Sequence, residues 1–137
     1  MLTIVRGRAA ILCAAMAVVA LMIVGVALVL ARDLGTKIDQ GSARGRHAIA
    51  VAHGTAQHPR AIFARVRSHP QQRIHGDFDM ICKVGSSQAE RTGRFSGRTT
   101  VVKKLGHPFT RPDSCSVGIS ARLKHHGRII VQLWARG

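Results

Sequence analysis

Ala9 to Ala31 is a run of apolar residues without a single charge, and it limits what the rest of the chain can be. A helix of about 23 residues rises about 35 Å, enough to cross the hydrocarbon core of a bilayer with some tilt. A soluble domain drawn from 137 residues could not bury such a helix on all sides. The run predicts a membrane-spanning signal anchor over 9–31, preceded by a basic leader over 1–8 that carries Arg6 and Arg8. An export signal cleaved after Ala31 has the same layout, although its apolar stretch usually runs only about 7–15 residues. Cys13 lacks the preceding residues of a bacterial lipoprotein signal and reads as a membrane-embedded thiol.

Positive residues flanking a membrane segment tend to stay in the cytoplasm. Arg6 and Arg8 favour an inside N-terminus, whereas Arg32, Lys37, Arg44 and Arg46 pull the other way. The export-like layout, together with a cysteine pair described below, points to a C-terminal domain outside the cytoplasm.

About 100 residues remain beyond Ala31, the size of one small domain. Of the 21 Lys and Arg, removing Arg6 and Arg8 leaves nineteen, against the acids Asp33, Asp39, Asp77, Asp79, Glu90 and Asp113. Such a surface attracts polyanions. Arginine outnumbers lysine and the chain has no Tyr or Asn, a profile that a GC-rich genome also produces. The only aromatics are Trp134, Phe63, Phe78, Phe95 and Phe109, so the core is thin and a covalent staple is expected.

Residues 32–59 read as a linker, punctuated by Gly35, Gly41, Gly45 and Gly54, with Ala48 to Ala52 as its one short apolar stretch. The His-Pro pairs at 58–59, 69–70 and 107–108 mark loop boundaries, because proline biases its predecessor to extended conformations. From residue 60 to 137 the apolar period is two. Cys115, Val117, Ile119, Ala121 and Leu123 share one face, with Ser116, Gly118, Ser120, Arg122 and Lys124 on the other, the alternation of a half-buried strand. His125-His126-Gly127 then turns into Arg128 to Ala135, which predicts a terminal β-hairpin. Phe78, Met80, Cys82 and Val84 mark a further strand; Ala61 to Arg67 and Arg98 to Leu105 are shorter candidates. Gly85 to Gly97 and Gly106 to Ser114 look like loops. The expected fold is a single transmembrane helix followed by a small all-β domain, an antiparallel sandwich or open barrel of five to six short strands.

Cys82 and Cys115 fall on the apolar faces of two predicted strands, which points both thiols into one core and predicts a disulfide in an oxidising compartment. None of the eight histidines has a zinc-site spacing with a partnering acid, and no CxxC accompanies them, so no metal or cofactor is expected. His75, Asp77, Asp79, Asp113 and Ser114 are the best residues for an extracytoplasmic hydrolase. No Gly-x-Ser-x-Gly, phosphate loop or cysteine-histidine signature supports one, so no catalytic residue is assigned. No helix-turn-helix, zinc finger or aromatic RNA-binding strand is legible either, which argues against specific nucleic-acid recognition.

The sequence therefore predicts a non-enzymatic, single-pass, membrane-anchored domain on the exterior of a bacterial cell envelope, or a secreted one if the anchor is cleaved. Its partners are membrane lipid, through Ala9 to Ala31, and an anionic envelope polymer or acidic protein surface. The anion-binding residues expected are Arg98, Lys103, Lys104, Arg122, Lys124 and Arg128. A cytoplasm-facing domain that holds DNA or anionic lipid is the alternative.

Overall fold

The computed structural model describes residues 34–137, so the predicted anchor over 9–31 lies outside the described residues. Within 34–137, no helix is long and apolar enough to cross a membrane. The described chain is all β. Its eight strands are β1 (Thr36–Gly45), β2 (Ile49–Gln57), β3 (Ala61–His69), β4 (Arg73–Val84), β5 (Ser87–Arg98), β6 (Thr100–Leu105), β7 (Ser114–Leu123) and β8 (Gly127–Arg136). They form two four-stranded antiparallel sheets, one in the order β1-β8-β3-β6 and the other β2-β7-β4-β5.

Alternation builds the core between the sheets. Ile74, Phe78, Met80 and Cys82 project inward from β4, Cys115 to Leu123 at every second position from β7, and Ile129, Val131 and Leu133 from β8. Ile62, Ala64 and Val66 fill the facing layer from β3. Phe78 and Phe95 need room that only glycine leaves. Phe95 is the register partner of Gly76, and Phe78 is that of Gly93. A Cβ on Gly76 would come within 2.1 Å of the Phe95 ring, and one on Gly93 within 2.5 Å of Phe78. Each ring thus fills the space above the glycine of the neighbouring strand.

The linker expected over 32–59 is corrected, since most of it is β1 and β2. These strands were hard to see because β2 turns only Ala50, Ala52 and Ala56 inward, while Ile49 and Val51 face solvent at 60% and 54% exposure. Alanine is a weak strand signal, and outward Ile and Val blur the period. The presumed loop Gly85 to Gly97 is mostly β5, a polar edge strand joined to β4 by a tight turn at Gly85, whose φ is +55°. Eight strands therefore replace five to six.

The terminal hairpin is corrected as well. β7 and β8 are joined through Lys124 to His126, yet they belong to different sheets. Each has one apolar face, and the chain buries the two faces against each other across the core instead of pairing the strands side by side. The same crossing occurs between β1 and β2, β3 and β4, and β5 and β6. These four crossings lie at one end of the sandwich, and the two others, β2–β3 and β6–β7, lie at the opposite end.

Cys82 and Cys115 form the expected disulfide, with both residues fully buried. They are direct register partners on β4 and β7, so the bridge ties neighbouring strands and not the two sheets. Closing a loop of 33 residues stabilises by about 3–4 kcal/mol on the chain-entropy estimate. Structural disulfides are characteristic of oxidising compartments, and the bridge points to an extracytoplasmic location for the domain.

Candidate anion-binding surface

The four crossings determine where the positive charge collects. They bring Arg44 and Arg46, Arg67, Arg73, Arg98, Arg122, Lys124 and Arg128 to one end, in or within three residues of the connections. No acid joins them; the nearest along the strands is Asp77, four residues after Arg73. Strand register then sets like charges face to face. Arg73 lies directly opposite Arg98 across β4 and β5, and Arg44 opposite Arg128 across β1 and β8. Like charges at such positions repel, at a cost of roughly 0.2–1 kcal/mol per pair. A bound anion between them removes that cost.

Gln72 holds this end together. Its side-chain carbonyl accepts from the His125 backbone N–H at 3.0 Å, and its amide donates to the His126 carbonyl at 3.2 Å. Its backbone carbonyl accepts from the Thr99 N–H at 3.2 Å, and the Thr99 carbonyl accepts from the Ser68 N–H at 2.8 Å. One residue thereby joins the β3–β4, β5–β6 and β7–β8 connections. Between them lies an open cleft of about 330 Å³ lined by Gln71, Gln72, Arg73, Arg98, Thr99, Lys124 and His125. A neighbouring hollow on the outer face of β4 and β5 holds Arg122, Arg94 and His75 together with Asp77, which pairs with Arg94. Each polar side chain that lines the cleft can donate a hydrogen bond, and three of them, Arg73, Arg98 and Lys124, carry fixed positive charge.

Of the six basic residues singled out in the sequence, four meet at this end: Arg98, Lys124, Arg122 and Arg128. The structure does not bring Lys103 and Lys104 to them. Both sit on the edge strand β6, opposite Ala64 and Phe63, toward the other end. Alternation alone could not separate these groups, because the division depends on which strand ends coincide. Arg73 and Arg44 were missed for the same reason, and the signal that finds them is the set of four sheet crossings.

The residues considered for hydrolysis do not converge. His75, Asp77 and Asp79 follow one another along the outer face of β4, where Asp77 pairs with Arg94 at 3.5 Å. Asp113 lies at the far end of that strand, its backbone N–H bonded to the Lys83 carbonyl and its carboxylate accepting from the Gly85 N–H at 2.7 Å. Eight strand residues separate His75 from Lys83, roughly 27 Å. Among the described residues, no three His, Cys, Asp or Glu side chains are grouped to hold a metal ion.

One acid has a defined structural task. Asp39, at a register shift in β1, accepts from the His53 backbone N–H at 2.9 Å and so caps the exposed edge of β2. Bonds from the His53 and Gln40 backbone N–H groups hold its carboxyl below the ordinary aspartate value.

No family model matches the chain, and no curated protein does. Among solved structures, the chain is similar to the TmCBM61 structure in complex with beta-1,4-galactotriose, at 6% identity and a TM-score of 0.37, over 73% of this chain and 66% of that one. It is also similar to a truncated AlyQ with CBM32 and alginate lyase domains, at 15% identity and a TM-score of 0.36, over 72% of this chain and 26% of that one. A third similarity is to the Gap123 glycosylation-associated protein complex from Streptococcus agalactiae, at 12% identity and a TM-score of 0.31, over 75% and 26%. Likenesses this loose transfer no residue and no ligand.

Proposed function

We propose that this chain is a non-enzymatic binding protein, held outside the cytoplasm by the anchor Ala9 to Ala31, whose Arg-rich end engages an anionic polymer of the cell envelope. The observation that carries this reading is the gathering of eight Lys and Arg side chains at these four sheet crossings, with Arg placed opposite Arg in two register pairs and no acid lining the cleft between the connections. The disulfide supports the outside location over the cytoplasm-facing alternative. Spaced cations on a firm loop platform suit a repeating anion, which can neutralise several of them in succession. Binding of this kind is driven by charge and weakens steeply with salt.

The test uses the full chain in a neutral detergent, titrated with soluble poly(glycerol phosphate) and with neutral dextran as control. The expected result is binding of the phosphate polymer only, weakening as salt rises. Arg73→Glu/Arg98→Glu/Lys124→Glu should lower that affinity by at least about tenfold. Lys103→Glu/Lys104→Glu should lower it by less than about threefold, since those residues lie elsewhere. Equal losses for the two variants, or binding of dextran, would overturn the assignment.

A further inference from the structure

The opposite end of the sandwich differs in composition. There the register lays one row across the outer face of the first sheet, Lys37–Trp134–Phe63–Lys104, with one side chain from each of β1, β8, β3 and β6. Two half-buried aromatic rings sit between two exposed lysines. Arg136 lies over the Phe63 ring, 5.8 Å from its centroid. The indole N–H of Trp134 donates to the Gln132 side-chain carbonyl at 3.3 Å, and Gln132 donates onward to Gln40 at 2.8 Å. The indole is therefore held in orientation by a polar neighbour while it stays partly exposed. An amphipathic indole beside an apolar phenyl ring, bordered by Lys and Arg, is a residue combination suited to a membrane–water interface, where tryptophan sits at headgroup level and cations meet lipid phosphates.

Chain length points to the same occupant. This row lies at the end where the polypeptide enters the sandwich, for Lys37 is the second residue of β1. Only Arg32 to Gly35 separate Ala31 from Thr36. Those five peptide steps span at most about 18 Å when fully extended. We infer that the Lys37–Trp134–Phe63–Lys104 row docks on the headgroups of an anionic lipid surface. This rests on the reading of Ala9 to Ala31 as an uncleaved anchor, and it adds a second contact of the domain with the membrane. The lysines supply attraction to lipid phosphate, and the rings exchange water for the glycerol and upper acyl region.

Trp134 is the chain's only tryptophan, so its fluorescence reports on this row directly. The full chain is reconstituted into vesicles of phosphatidylcholine and phosphatidylglycerol and compared with the same chain in neutral detergent. Acrylamide quenching of Trp134 should fall by at least about threefold in the vesicles, and headgroup-level spin-labelled lipid should quench it more than lipid labelled mid-chain. Lys37→Glu/Lys104→Glu should restore acrylamide access while the chain stays vesicle-bound through a carbonate wash. If the wild-type chain survives the wash but Trp134 is as open to acrylamide as in detergent, docking is wrong and the anchor stands. If the wash strips the chain off, the anchor reading fails and docking falls with it. Shielding that grows with the protein-to-lipid ratio would assign the row to a second copy of the chain and also overturn the proposal.

Discussion

The two ends of the sandwich are both basic, yet they are composed of different residue classes. At the end of the four sheet crossings, Arg73, Arg98, Lys124 and Arg128 stand among Gln, Thr and His, with no aromatic side chain on the surface. At the chain-entry end, Lys37, Lys104 and Arg136 surround Trp134 and Phe63. Net charge alone treats these ends as equal. The difference is that guanidinium groups on hydrogen-bonded loops suit a hydrated polyanion, whereas rings interleaved with lysines suit a boundary between water and lipid.

The disulfide ties β4 to β7 toward the end opposite the four crossings, and removing it tests whether the two ends share one scaffold. Cys82→Ala/Cys115→Ala should lower the unfolding free energy by about 3–4 kcal/mol, read from urea denaturation, and weaken both surfaces together. A variant that unfolds the crossing end while Trp134 stays in its native setting would show the ends to be separable. Gly93→Ala should cost roughly 1–3 kcal/mol, because the Phe78 ring occupies the space a methyl group would take. Its effect should also be shared, since Phe78 lies in the common core.

Gln72→Ala sharpens the contrast. It removes the side-chain bonds to the β7–β8 connection and should cost about 1–2 kcal/mol. Polymer affinity should fall by about threefold through loosened cation placement, with Trp134 fluorescence unchanged. Equal disturbance of Trp134 would mean that the loop platform is not local to its end.

The smallest effect concerns acid. Asp39 is held below the ordinary aspartate value by hydrogen bonds, so what it contributes to stability is present above that value and is lost as pH falls through the lowered one. Between about pH 5 and pH 2 the urea midpoint of the wild-type chain should drop more steeply than that of Asp39→Asn. Parallel curves would remove Asp39 from the account of the β2 edge.

Much of this was legible in the residues. The strict alternation of Cys115 to Leu123 located β7, and matching alternation on β4 placed Cys82 on the same core and foretold the bridge. The period failed where one face is alanine and the other is partly apolar, as in β2, or where an edge strand is polar throughout, as in β5. Topology was the larger gap. A turn of two or three residues between apolar strands fits a side-by-side hairpin as well as a crossing between sheets, and only the shared core decides. That decision also determines which cations meet: local pattern selects Arg98, Lys103, Lys104 and Lys124 alike, and only the fold separates Arg98 and Lys124 from the other two.

The central claim is that the crossing end is the polymer-binding surface. Backbone amide shifts of the full chain in neutral detergent, followed while poly(glycerol phosphate) is added, test it residue by residue. Shifts are expected to concentrate at Arg73, Arg98, Thr99, Lys124 and Arg128, with none at Lys37, Lys104 or Trp134. Shifts spread evenly over both ends, or confined to the Trp134 row, would contradict it.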